Sequence, residues 1–124
     1  MIRLYRGQRR DGELLLCGDP LASITGGDFN ALWREIGIDV DSWSPDIRRQ
    51  DKGFPYPHIY AIQNYIVYEH QCLEVEALRL EAAQLQHKIH GSASKRALDV
   101  LLATASMLAS EGRGIIFRPG IAEP

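Results

Sequence analysis

A chain of 124 residues, 45% hydrophobic and 24% charged, has the size and make-up of one globular domain that buries a core without metals or disulfides. Its formal net charge of −2 argues against a protein that coats nucleic acid by bulk basicity, and no apolar run approaches the ~20 residues of a membrane span. The opening Met1-Ile2-Arg3-Leu4-Tyr5-Arg6 leads into no signal-peptide apolar stretch, and the two cysteines, Cys17 and Cys72, share no motif spacing, so a cytoplasmic protein with free thiols is expected.

Ile2 to Arg6 alternates apolar and basic residues, the pattern of a half-buried strand. Gly7 through Gly12 reads as a turn, and Glu13 to Cys17, with its three leucines, returns as the second strand of a hairpin. Asp19-Pro20 and Gly26-Gly27 punctuate the stretch between that strand and Asp28. Asp28 is placed to cap a short helix whose face is Phe29, Leu32, Trp33 and Ile36, with Gly37 as the stop. Ile38 to Pro57 is irregular. Ser44-Pro45 suits the opening of one helical turn, and Trp43, Phe54, Pro55, Tyr56 and Pro57 form an aromatic-proline segment.

Pro57 to His90 carries one long helical pattern. Gln63, His70, Glu74, Glu81, Gln84 and Lys88 share a polar stripe, flanked by two apolar ridges. One ridge is Val75, Leu78, Ala82, Leu85 and Ile89; the other is Ile59, Ile62, Ile66, Leu73, Ala77 and Leu80. Unbroken, this helix would be roughly 50 Å long at ~1.5 Å per residue, against a body about 35 Å across. Either it breaks near His70 to Cys72 or it projects and self-associates through its apolar surface. Gly91 ends the pattern and Ser92 or Ser94 caps a second, more apolar helix through Ser110, closed by Gly112. Gly114 to Arg118 reads as a buried strand that joins the N-terminal hairpin. The fold class expected is α+β: a small antiparallel sheet of two N-terminal strands and a C-terminal strand, packed on a long helical hairpin and one short helix. The whole chain, 1–124, is one domain, with the hairpin over 57–111.

Chemistry-bearing motifs are sparse. Ser92-Ala93-Ser94-Lys95 matches the S-x-x-K spacing that sets a hydroxyl beside an amine, but no partner motif accompanies it and a serine at a helix start serves as a cap. His87 and His90 stand three apart, a spacing that holds a metal on a helix, with His58, His70 and Cys72 available only through folding. Gly26-Gly27 precedes a helix, where backbone N–H groups meet phosphate, yet Asp28 repels an anion there. Arg3, Arg6, Arg9 and Arg10, with Arg48, Arg49 and Lys52, suit a nucleic-acid backbone, and Tyr56 and Tyr60 suit exposed bases. No catalytic residue, metal site or cofactor is assigned. The expectation is a non-enzymatic protein-binding module of bacterial or phage type, an inhibitor, immunity-type or adaptor protein. Its partner-binding residues are Asp39, Asp41, Trp43 and Asp46, an aromatic anchor ringed by acid that favours a basic protein surface. Homodimerisation through the long helix is expected as well. The alternatives are a nucleic-acid-binding accessory protein and, behind it, a small enzyme.

Overall fold

The computed structural model describes residues 1–37, 56–62 and 70–119. The chain opens with a hairpin of β1 (Ile2–Arg10) and β2 (Glu13–Ile24). Both strands run past the expected Arg6 and Cys17. The turn between them is only Asp11-Gly12, with φ of 52° and 81°. Two successive positive φ values are what a two-residue turn needs to follow the twist of its strands, and Asp-Gly is a pair that adopts them readily. Ile2 and Leu4 point into the core and are fully buried.

The register between β1 and β2 is interrupted in its middle. Leu4 pairs with Ala22 and Arg6 with Cys17, so Gly18 to Leu21 crowd opposite Tyr5 alone. Gly18 has φ of 78°, which makes the extra length geometrically possible. The sheet order is β2-β1-β4-β3, all antiparallel, with β4 being Gly114–Pro119 and β3 being His70–Cys72. The edge strand β2 therefore carries a bulge and Pro20, which has no N–H to offer, and the opposite edge strand is three residues long. Both devices blunt an edge against further pairing.

The helices are α1 (Gly26–Glu35), α2 (Pro57–Ala61), α3 (Val75–Leu85) and α4 (Ser92–Glu111). Helix α4 lies against the sheet, and α1 and α3 both pack on α4. Its inner face, Ala97, Leu98, Leu101, Ala105 and Leu108, is buried, as expected for the more apolar helix. Gly112, with φ of 69°, ends it, and the Arg113 N–H donates to Leu108 O at 2.9 Å. That bond closes the last turn in the Schellman manner. In α1, the stacked pair Phe29 and Trp33 has ring centroids 4.8 Å apart, and Trp33 Nε1–H donates to Ile59 O across to α2.

The α+β class and the α3/α4 hairpin are as expected, with β3 added to the sheet. Two local expectations, both of helix caps, are corrected, and one open alternative is decided. Helix α1 starts two residues before Asp28: Thr25 is the cap, its hydroxyl accepting the Asp28 N–H at 3.1 Å. A threonine one residue outside the helix outcompetes an aspartate placed in its third position, because only the residue outside has extended backbone to aim its oxygen inward. Of the two alternatives for the pattern from Pro57, the break near His70 to Cys72 is the one found. Residues 70–72 pair with β4 instead, and α3 then ends at Leu85, so no rod of about 50 Å projects. Last, α4 has neither serine as its cap; Gly91 holds that position. Among the described residues no helix is long and apolar enough to cross a membrane.

Candidate functional site

His58, Cys72, Glu74 and Glu81 gather where α2, β3 and the start of α3 meet. A pocket of about 280 Å3 there is lined by Pro57, His58, Ala61, Gln71, Cys72, Leu73 and Glu74. Behind it is Glu81, further along α3, whose side chain is 10% exposed. Helix α2 has Tyr56 before its first residue, a side chain that accepts no bond from the helix start. Its first N–H groups consequently lack a local acceptor. Glu81 supplies one from across the fold: Oε1 accepts the His58 N–H at 3.0 Å and the Ile59 N–H at 3.1 Å. Negative charge at a helix N-terminus also suits the helix dipole.

The same carboxylate makes a short ion pair, through Oε2, with His58 Nδ1. On the other side of the ring, His58 Nε2 meets Glu74 Oε2 at 2.9 Å. A neutral imidazole has one N–H, and two carboxylates on its two nitrogens require both protons. Geometry therefore calls for the imidazolium. Burial works against that charge and is the largest single influence, but Glu74 and Glu81 together outweigh it and raise the His58 pKa. Lys88 Nζ, donating to the Tyr56 hydroxyl at 3.0 Å, fastens the residue before α2 to the segment after α3.

Chemically, the cluster is a latch. Both ring nitrogens of His58 and both oxygens of Glu81 are engaged in holding α2 on α3. Cys72 beside it is no ready nucleophile: burial pushes its thiol up to about 11, which leaves it protonated at neutral pH. Cys17 and Cys72 are both free thiols. The lack of a capping side chain at Tyr56 is the one signal in the sequence that α2 must borrow an acceptor. Nothing in the polar stripe of the long helical pattern sets Glu81 apart as its source.

A second borrowed carboxylate fastens the entry to α4. Glu35, the last residue of α1, accepts the backbone N–H groups of His90 and Gly91, the latter at 3.1 Å, and the Ser94 hydroxyl. Ser94 is buried by this contact, while Ser92 and Lys95 are exposed, so the S-x-x-K residues sit at a helix start stabilised from outside. His87 and His90 lie beyond the end of α3 in non-helical backbone and are exposed, so their helical spacing does not apply. Among the described residues no group of three or more His, Cys, Asp and Glu is arranged to hold a metal ion. Gly26-Gly27 opens α1, where the Asp28 carboxylate meets Arg96 in a two-pronged pair at 3.1 Å.

The basic opening residues are divided by strand alternation. Arg6 points to the helix side and pairs with Glu111 at 2.7 Å, and Arg9, on the other face, donates to Leu73 O. Asp39, Asp41, Trp43 and Asp46 lie outside the described residues. Besides the latch, the described surface offers an open groove of about 380 Å3 between β2 and α4. Leu21, Ala22, Val100, Ala103 and Met107 line it, with Asp99 among them. Met107 is 38% exposed, and Asp99, also exposed, pairs with no cation among the described residues. No protein-family model, curated protein or solved structure matches this chain.

Proposed function

We propose that the protein is a non-enzymatic protein-binding module, of the inhibitor, immunity or adaptor kind, whose partner presents an apolar ridge beside a basic residue. The observation that carries this reading is the β2/α4 groove. Apolar side chains stand open there around one carboxylate with no cation among the described residues to satisfy it. An exposed apolar lining with an uncompensated charge favours a partner of complementary shape and opposite sign. The acidic segment bearing Asp39, Asp41, Trp43 and Asp46 has the same sign and is the second contact of the proposal, so both elements select a basic protein. The reading is further supported by the way the most enzyme-like cluster, His58 with Glu74 and Glu81, is consumed in fastening two helices together.

The test is an amide NMR titration with a short amphipathic leucine–lysine helical peptide and its leucine–glutamate counterpart. The expected result is a set of shift changes centred on Leu21, Ala22, Val100, Ala103 and Met107 with the basic peptide, much weakened with the acidic one. Met107→Asp should remove the response while the protein keeps its melting temperature, since Met107 contributes little to the core. Equal response to both peptides, or shifts scattered away from the groove, overturns the proposal.

A further inference from the structure

The two carboxylates that hold the His58 ring differ in how far they can retreat from it. Glu81 is enclosed, at 10% side-chain exposure, and its oxygens are also tied to the His58 and Ile59 N–H groups. Glu74 is 74% exposed and meets the ring at Nε2, 2.9 Å away. It stands just before α3, and its side chain makes no bond to the start of that helix. The Leu78 N–H bond to Glu74 O, which opens α3, is made by the backbone, so the Glu74 side chain is able to turn into water without unwinding the helix. His58 and Glu74, the two partners of this outer bond, both line the pocket between α2 and β3.

We infer that His58 is a pH-operated gate on this pocket: as an imidazolium it ties Glu74 over the opening, and as a neutral ring it keeps its proton on Nδ1, against Glu81, and releases Glu74. A neutral imidazole has one N–H to place. A bare Nδ1 would set its lone pair against an enclosed oxygen that backbone N–H groups hold where it is. A bare Nε2 faces an oxygen that has water to turn to, and that is the smaller loss. Two acceptors at this separation repel, so Glu74 swings out and the pocket widens on the side it leaves. Glu81 keeps its three donors, and α2 stays fastened to α3. The gate therefore moves one side chain and leaves the fold shut. The described groups around the ring do not replace it as the titrating element. The Cys72 thiol of β3 is kept protonated by burial, α1 reaches α2 through Trp33, which does not titrate, and Lys88 is turned to the Tyr56 hydroxyl. Burial works against the charged ring, but Glu74 and Glu81 outweigh it, so the closed form extends above the ordinary histidine range before it is lost.

A titration of the full chain from about pH 5.5 to about pH 9.5, with histidine rings labelled with nitrogen-15, tests this by NMR. His58 is assigned by the signals that His58→Gln removes. On the alkaline side its Nδ1 is expected to keep the proton and its Nε2 to be bare. Access to the pocket is read with a neutral nitroxide in solution. Its relaxation of the Ala61 and Leu73 methyl signals should grow at least about twofold as the ring loses its proton, while the His58 and Ile59 amides keep their protection from exchange. Glu74→Gln separates a gate from general loosening. A carboxamide offers its oxygen to a protonated Nε2 and an N–H to a bare one, so it stays on the ring in both states and the methyl signals should not respond. With Glu74 mostly in solvent, this variant keeps the fold. A ring still doubly protonated at the alkaline end, a neutral ring with its proton on Nε2, or methyl signals that do not change overturns the inference. So does an equal rise in Glu74→Gln, or loss of the two amide protections.

Discussion

Among the described residues, the starts of α2, α3 and α4 have no side-chain cap from their own N-cap residue, and two of the three take a glutamate from a neighbouring helix. Glu81 of α3 accepts the first N–H groups of α2, and Glu35 of α1 accepts the N–H groups of His90 and Gly91 at the entry to α4. The need is the same, N–H groups without intrahelical partners, but the settings differ. The Glu81 side chain is 10% exposed and is tied to an imidazolium; Glu35 is exposed and is held chiefly by N–H groups and a hydroxyl. Equivalent bonds therefore carry unequal weight. A carboxylate on the surface has water as an alternative partner, whereas removing an enclosed one strands the groups that it satisfied.

Glu81→Ala is the substitution that should widen this contrast most. It leaves two backbone N–H groups and the inner nitrogen of His58 without their acceptor, and a loss of about 3 kcal/mol in unfolding free energy by chemical denaturation is expected. A loss no larger than that of Glu35→Ala would erase the distinction between the two caps. Glu35→Ala itself should cost about 1 kcal/mol, the ordinary worth of an N-cap, because water replaces the lost acceptor.

The smallest effect is in the pH dependence, and the two caps should differ there in sign. His58 has its pKa raised in the folded chain, against burial, by Glu74 and Glu81. Its contribution is fully present below the unfolded value of about 6.5 and disappears as pH rises through the higher folded value. The difference in stability between wild type and His58→Gln should thus shrink on the alkaline side. With the ring 27% exposed and Glu74 mostly in solvent, the effect is under about 1 kcal/mol. Glu35 behaves oppositely. The His90 N–H is the chief cause holding its carboxyl below the usual range, with Ser94 and Gly91 assisting against burial. Its contribution is present above about 4.3 and is lost as pH falls through the folded value. Denaturation curves of the wild type and the two variants across pH should separate the effects, and slopes of the same sign would contradict these assignments.

Much of the framework was legible in the residues. Alternation at Ile2 to Arg6, the leucines after Glu13 and the run Ile115-Ile116-Phe117 marked three of the four strands, and Gly112 marked the end of α4. The apolar face of α4 was readable because a helix buried on most sides has little polar surface to misplace. Less of the candidate site was legible. His58 and Glu81 are 23 residues apart, and their meeting depends on the packing of α2 against α3. The groove unites Leu21 with Val100 and Met107, which no local pattern links.

The residues alone determined the α+β class, the hairpin and the buried ridge of Val75, Leu78, Ala82 and Leu85, because these follow from periodicities repeated over neighbouring positions. Tertiary structure decided that the long helical pattern breaks rather than projects. At His70–Cys72 the helical stripe competes with pairing to β4, a partner far along the chain whose N–H and C=O groups periodicity does not register. It also decided which residues of the two ridges are enclosed, burying Ile59 and Ile62 but leaving Leu73 and Leu80 exposed, and which glutamates are drawn to the helix starts. Those outcomes are set by what packs alongside each element, and a packing neighbour is a property of the assembled fold.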